Sequence, residues 1–262
     1  MANSQKIAGQ DAMEEFEIGS GFNFSGAIIN EEDAAGAGYT LVTIALDETG
    51  SIGGFEKQIG DMLRASVEAC FKSPYANNLL IRVIRFGSQY SRQNGNGVDE
   101  IHGFKSLSEI DINSYPTLRG GGATPLYDAI FSAVGAMNTY AKQLYDLDFA
   151  VNGISFIITD GGENASQGAG VQMVKDPLAR SITGEIMESH VSILVGIDTG
   201  YGGAKNDLAN FQQDAGINQF IWAGEATKDK LAKLAEFVSQ SISSTSQALG
   251  TGGPSQKISA TI

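Results

Sequence analysis

Short apolar runs alternate along the chain with longer stretches in which apolar residues return every three or four positions. Residues 41–46 (LVTIAL), bounded by Gly38 and Asp47, are too short for a typical helix and apolar enough for a strand covered on both faces. From 55 to 71 the apolar residues Phe55, Ile59, Met62, Leu63, Val67, Cys70 and Phe71 recur at helical spacing, one buried stripe that Pro74 helps to end. Residues 79–86 (LLIRVIRF) predict the next strand, and Gly95 with Gly97 predicts a turn into a weaker strand at 101–104, a hairpin at a sheet edge. Pro125 suits the first turn of a helix that carries Leu126, Ile130, Val134 and Met137 on one face. Residues 154–159 (ISFIIT) and 191–197 (VSILVGI) predict buried strands with a helix around 178–189 between them. A short helix near 207–214, a strand at 219–222 and a closing helix at 227–247 complete the set. This alternation predicts an α/β fold: an open, mostly parallel, Rossmann-like sheet with helices on both faces.

The two ends break the pattern. Residues 1–38 are acidic and rich in small residues, with Glu14, Glu15, Glu17, Glu31, Glu32 and Asp33 bracketing the alternating Phe22-Asn23-Phe24-Ser25. They predict a loose extension with room for one short added strand. Residues 248–262 lack a packing pattern and predict a flexible tail, which leaves 39–247 as the folded domain. No internal repeat of about 20 to 50 residues is visible, so a solenoid is not supported.

Charge narrows the partners. A net charge of −13 over 262 residues disfavours nucleic acid and anionic membrane surfaces, and no stretch approaches the roughly 18 uninterrupted apolar residues of a membrane span. The single cysteine, Cys70, lies on a helical apolar stripe and cannot form an internal disulfide. With no export signal in the opening residues, a cytoplasmic protein is expected, and the sequons at Asn23 and Asn164 are expected to go unused. His102 and His190 stand isolated, without partners at metal-ligand spacing, and Trp222 suits packing.

In an open α/β sheet the ligand crevice lies beyond the carboxyl ends of the strands, where strand order reverses. Three segments belong at that rim: residues 47–51 (DETGS), 120–124 (GGGAT) and 160–162 (DGG). Together they offer the carboxylates of Asp47 and Asp160 and the hydroxyls of Thr49, Ser51 and Thr124, without histidine or cysteine. Such an all-oxygen set selects a hard cation, and its few charged members suit Mg²⁺, with Mn²⁺ or Ca²⁺ as alternatives. Helix capping explains single members of the set but not all three segments. A phosphate loop is excluded because no Gly-Lys-Ser/Thr follows the glycines.

DETGS, GGGATPLYDAI and FIITDGGEN, in that order on this α/β pattern, resemble a von Willebrand factor A domain over about residues 39–247. The resemblance implies a mainly parallel sheet with one antiparallel edge strand, matched to the weak strand near Ile101. It also implies a metal-ion-dependent adhesion site whose Asp-x-Ser-x-Ser run, later Thr and later Asp fall on Asp47, Thr49, Ser51, Thr124 and Asp160. Thr49 departs from the usual first serine, keeping the oxygen but adding a methyl group. Glu48 adds a charge beside the ion, and the sequence leaves open whether it repels an acidic ligand or tightens the metal. The chain length, the TPLYDAI helix start and the serine-rich last helix resemble stand-alone bacterial and phage-borne members, including those associated with tellurite resistance and stress.

The function this implies is a non-enzymatic interaction module in which Mg²⁺ accepts a Glu or Asp side chain from a partner protein, with the last helix as a candidate moving element. Two other readings stand beside it. One is a structural subunit of a larger assembly, such as a phage virion or tail, built on the same fold. Alternatively, because DETGS also resembles the Asp-x-Thr-Gly-Thr signature of haloacid-dehalogenase-like phosphotransferases, Asp47 would be a nucleophile and Asp160 a Mg²⁺ ligand.

Overall fold

The computed structural model describes residues 13–19, 21–29, 38–183, 186–200 and 204–251. In chain order its elements are β1 (Met13–Gly19), β2 (Phe22–Ala27), β3 (Gly38–Asp47), α1 (Glu56–Cys70), β4 (Leu79–Phe86), the single-turn α2 (Ser91–Asn94) and β5 (Val98–Ser106). There follow α3 (Leu126–Asp146), β6 (Ala150–Thr159), α4 (Val171–Thr183), β7 (Ser189–Asp198), α5 (Ala204–Ala215), β8 (Gln219–Glu225) and α6 (Lys228–Thr251). The strands form one mostly parallel sheet in the order β1-β2-β5-β4-β3-β6-β7-β8.

β3 is the centre of this order. It runs parallel to β4 from Thr40↔Leu79 to Asp47↔Phe86, and parallel to β6 from Gly38↔Ala150 to Leu46↔Ile158. With strands at both sides and helices on both faces, every residue from Thr40 to Asp47 is buried, which is why the run is almost wholly apolar. The pleat divides it between two cores. Val42, Ile44 and Leu46 join Ile59, Leu63 and Val67 of α1 and Leu231, Leu234 and Val238 of α6. On the other face Ala45 joins Leu126 and Ile130 of α3, Val174 and Leu178 of α4, and Leu208 of α5. The chain leaves β3 toward β4 and β5, then crosses back to β6, β7 and β8, so the switch point lies between β3 and β6.

The N-terminal segment differs from the loose extension expected of it. Residues 13–27 form two strands, paired antiparallel from Met13↔Ala27 to Gly19↔Phe22, and β2 continues parallel to β5 with Gly26 opposite Phe104. The antiparallel edge expected near Ile101 is β5, paired with β4, and the hairpin extends the sheet beyond it. Aromatic packing supplies the reason: Phe22 meets Phe131 edge-on at 5.0 Å, and Phe24 stacks on Phe16 at 5.0 Å. Glu14, Glu15 and Glu17 remain exposed. α4 lies upstream of the expected 178–189. Pro177, a residue that predicts a break, sits inside the helix, where the buried Val174, Leu178 and Ser181 hold it in place and the Pro177 carbonyl accepts from Asn138 Nδ2 at 2.9 Å. α6 continues into the expected tail as far as Thr251, while the acidic residues 31–33 and the tail beyond 251 lie outside the described residues.

One buried ion pair ties the hairpin to the body. Arg82 of β4, 1% exposed, donates from Nε to Glu100 Oε2 at 2.6 Å and from Nη1 to the Ser132 carbonyl of α3 at 3.1 Å. The other Glu100 oxygen accepts from the Ser25 backbone N–H at 3.0 Å and from the Ser25 hydroxyl. β2 can come this close only because residue 103 is glycine: a Cβ there would stand 1.9 Å from the Ser25 carbonyl oxygen. The two histidines are structural residues, His190 buried and His102 half-buried. His190 lies between Ser155 Oγ (3.0 Å) and Ser181 Oγ (2.7 Å), and His102 between the Gly103 carbonyl (2.8 Å) and the Tyr115 hydroxyl (2.9 Å). Burial depresses both pKa values to about 4.

Removing Arg82 leaves the half-buried Glu100 carboxylate without its counter-charge and the Ser132 carbonyl without its donor. Arg82→Met is therefore expected to lower unfolding free energy by about 3 kcal/mol in urea titrations. Lys57→Met, which breaks the exposed Lys57–Asp61 pair, is expected to change it by less than about 0.5 kcal/mol.

Candidate metal centre

The carboxyl ends of β3 and β6 stand side by side at the switch point, and the loops leaving them are locked to the glycine-rich loop by backbone hydrogen bonds. Glu48 N–H donates to the Phe86 carbonyl at 2.9 Å, extending the β3–β4 ladder past Asp47. Gly50 N–H donates to the Gly122 carbonyl at 3.0 Å, and Gly121 N–H to the Glu48 carbonyl at 3.2 Å. The glycines serve this close approach. Gly122 has φ +70°, and a Cβ there would meet Ser88 Oγ at 2.5 Å; a Cβ on Gly120 would press on the Thr49 carbonyl at 3.0 Å.

The five side chains singled out by sequence come together at this rim. Thr124 Oγ1 lies 3.4 Å from Thr49 Oγ1, Thr49 Oγ1 lies 3.0 Å from Ser51 Oγ, and Ser51 donates to Asp160 Oδ1 at 2.6 Å. Asp47 joins through the backbone, its Oδ1 accepting from Thr49 N–H at 2.8 Å. Asp47, Thr49, Thr124 and Asp160 are buried and Ser51 is half-buried, so the cluster opens to solvent on the serine side.

Among the described residues no Lys, Arg or His forms an ion pair with Asp47 or Asp160. Burial, and then the neighbouring Asp160 charge, push the Asp47 pKa up to about 7, against hydrogen bonds from Thr159 and Thr49 that pull it down. Two buried carboxylates without a counter-charge, ringed by hydroxyl oxygens, fit a hard divalent cation. Among the described residues no group of three or more His, Cys, Asp and Glu comes together, so a nitrogen, thiolate or carboxylate-rich cage is not part of this site.

Several contributors escaped the sequence reading. Thr159 donates to Asp47 Oδ2 at 2.6 Å and Thr199 donates to Asp160 Oδ2, so each carboxylate is aimed by a threonine at the end of a strand. Thr199 follows β7 in an Asp-Thr-Gly run close to the Asp-Glu-Thr-Gly of the first rim segment, which is the signal that marks it. Asn164 Oδ1 accepts from Thr124 N–H at 2.6 Å and holds the threonine in place. Glu48, left ambiguous by sequence, turns away from the cluster: Oε2 accepts from the Tyr90 hydroxyl at 2.6 Å and from Arg85 Nη1 at 3.2 Å, and Oε1 accepts from Arg119 N–H. Its charge is spent on bracing the glycine-rich loop.

The sign of the pH dependence follows from Asp47. Without a cation the folded chain retains a proton on Asp47 between about pH 4 and 7 that the unfolded chain has released, so this group costs stability as pH rises through that window. A divalent cation must displace that proton. Saturating Mg²⁺ is therefore expected to raise the melting temperature more at about pH 8 than at about pH 5, and Asp47→Asn to abolish the difference, as read by differential scanning fluorimetry.

No protein-family model matches the sequence, and no curated protein sequence matches it. Solved structures do. The SpaC pilus adhesin of Lactobacillus rhamnosus GG superposes with a TM-score of 0.58 at 11% identity, over 85% of this chain and 32% of the adhesin. The PilB minor pilin of Streptococcus sanguinis gives 0.56 at 12% identity, over 84% of this chain and 64% of the pilin. A von Willebrand factor type A protein from Catenulispora acidiphila gives 0.50 at 12% identity, over 93% of this chain and 52% of its own length. The chain thus spans about a third of the adhesin and less than two thirds of the pilin. With a mostly parallel sheet, helices on both faces and an antiparallel side, the chain has the fold of a von Willebrand factor type A domain.

Proposed function

We propose that the chain is a metal-dependent protein–protein interaction module. Asp47, Thr49, Ser51, Thr124 and Asp160 hold a divalent cation, Mg²⁺ by the hardness and small charge of the set, and a Glu or Asp side chain of a partner protein completes its coordination. The observation that carries this reading is the meeting of two unpaired, buried carboxylates with three hydroxyls from separate loops. When bound, the cation supplies net positive charge at the rim. The chain's own residues orient the site: Thr159 and Thr199 aim the carboxylates, and Asn164 fixes Thr124. The names adhesin and minor pilin among the structural neighbours agree with a module that joins proteins rather than one that turns over a substrate. A cytoplasmic setting goes with the free, buried Cys70, and the net charge of −13 turns the chain away from nucleic acid and anionic membranes. Among the described residues no helix is long and apolar enough to cross a membrane.

The phosphotransferase reading fares poorly on geometry. Both Asp47 oxygens already accept hydrogen bonds, the residue is 2% exposed, and no lysine pairs with it among the described residues. A structural subunit of a larger assembly, such as a virion or tail, draws support from the minor pilin likeness.

Affinity capture from lysate with this chain as bait is expected to yield Mg²⁺-dependent partners that EDTA releases. Asp47→Ala and Thr124→Ala should lose them while keeping the circular dichroism of the parent. Capture indifferent to chelator would refute the module. The same protein incubated with acetyl phosphate and Mg²⁺ should show no turnover above the Asp47→Asn background, and its sedimentation should stay unchanged by Mg²⁺ unless the partner is another copy.

A further inference from the structure

Beside the metal centre a cavity of about 400 Å³ is lined by Glu48, Arg85, Gln89, Tyr90, Pro116, Thr117 and Arg119. Its two cations differ. Arg85 is committed: Nε donates to Asp99 at 2.8 Å, Nη1 to Glu48 at 3.2 Å, and the guanidinium lies 4.9 Å from the centre of the Tyr90 ring. The side chain of Arg119 is exposed and meets no carboxylate among the described residues. Of the two, Arg119 is the one left open to an anion from outside the chain.

The backbone beneath Arg119 is held firmly. Its N–H donates to buried Glu48, Leu118 before it is buried, and Arg64 Nη2 holds the Tyr115 carbonyl at 3.1 Å. After it, Gly121 and Gly122 are bonded to Glu48 and Gly50 of the metal-centre loop. The backbone of Arg119 is therefore anchored to the loop that carries Thr49 and Ser51, and its exposed guanidinium is tethered beside the metal centre as a fork for a carboxylate.

We infer that Arg119 forms a second acid-binding site and that the partner presents an acidic loop with two carboxylates, one for the cation and the other for Arg119. This rests on the metal-dependent reading above. The metal supplies the anchor, and Arg119 selects a doubly acidic segment over a singly acidic one. Electrostatic complementarity of this kind sets specificity more than total affinity, so the expected contribution is about 3- to 10-fold.

The test uses dye-labelled peptides in Mg²⁺, read by fluorescence anisotropy: acetyl-Glu-Gly-Gly-Gln-amide with one acid, and acetyl-Glu-Gly-Gly-Glu-amide with two, the latter also with one or three glycines in the gap. At the best spacing the two-acid peptide is expected to bind about 3- to 10-fold tighter than the one-acid peptide. Arg119→Ala should erase that gain and Arg119→Lys keep part of it, while both variants retain the parent's Mg²⁺-induced thermal shift. Equal binding of one- and two-acid peptides at every spacing, or an advantage that survives Arg119→Ala, overturns the inference and leaves the metal site standing. A Mg²⁺ thermal shift without binding of either peptide does the same. Absence of the thermal shift together with absence of Mg²⁺-dependent peptide binding removes the metal reading, and the inference with it.

Discussion

Two like charges buried side by side organise this molecule. Asp47 and Asp160 close the carboxyl ends of β3 and β6, neighbouring parallel strands, where the topology itself forces them together. Neither finds a cation among the described side chains, so the fold pays a desolvation and repulsion cost that shows as the raised Asp47 pKa. Hydrogen bonds from Thr49, Thr159, Ser51 and Thr199 offset part of that cost and fix the direction of every carboxylate oxygen. A site with two buried carboxylates and its lone pairs already aimed is what the proposed cation would answer.

The scaffolding follows from that demand. Three loops must approach within hydrogen-bonding distance, and long side chains would hold them apart, so glycine fills the positions where backbone meets backbone. Flexibility is then a hazard, and Glu48 removes it. A single buried carboxylate gathers Tyr90, Arg85 and the Arg119 N–H, tying together the end of β4, the turn after it and the glycine-rich loop. The neighbouring Asp128 plays the matching part for the loop after β6, accepting from the N–H groups of Gln167, Gly168 and Ala169.

Much of this was legible from the sequence because it depends on local rules. β3, β4 and β6 are covered on both faces, so their runs of apolar residues mark them; Asp47, Thr49, Ser51 and Asp160 end or directly follow β3 and β6, while Thr124 is marked by the glycines before α3. Legibility fails where a role depends on partners distant in the chain. Glu48 meets Tyr90 and Arg119 only after folding, and nothing beside it in sequence announces which way it turns. The hairpin was half hidden because few large apolar residues carry its inner face, chiefly Phe16, Phe22 and Phe24, and the acids around them read as solvated chain. α4 begins upstream of the expected helix because its buried residues Val174, Leu178 and Ser181 run through Pro177, where packing outweighs the lost backbone hydrogen bond.

The hairpin's attachment has a consequence for where the folding unit begins. The Tyr140 hydroxyl donates to the Ala27 carbonyl at 2.6 Å, its ring stacks on Phe104 at 4.9 Å, and Phe24 packs edge-on against both. A chain trimmed to start at Gly38 would keep the whole metal rim yet bare these rings, leave Glu100 without Ser25, and present β5 as an unguarded edge open to strand addition by any passing molecule. The hairpin of residues 13–27 thus moves the edge of the sheet from β5 to β1, at the flank opposite β8, where the exposed Glu14, Glu15 and Glu17 discourage strand addition.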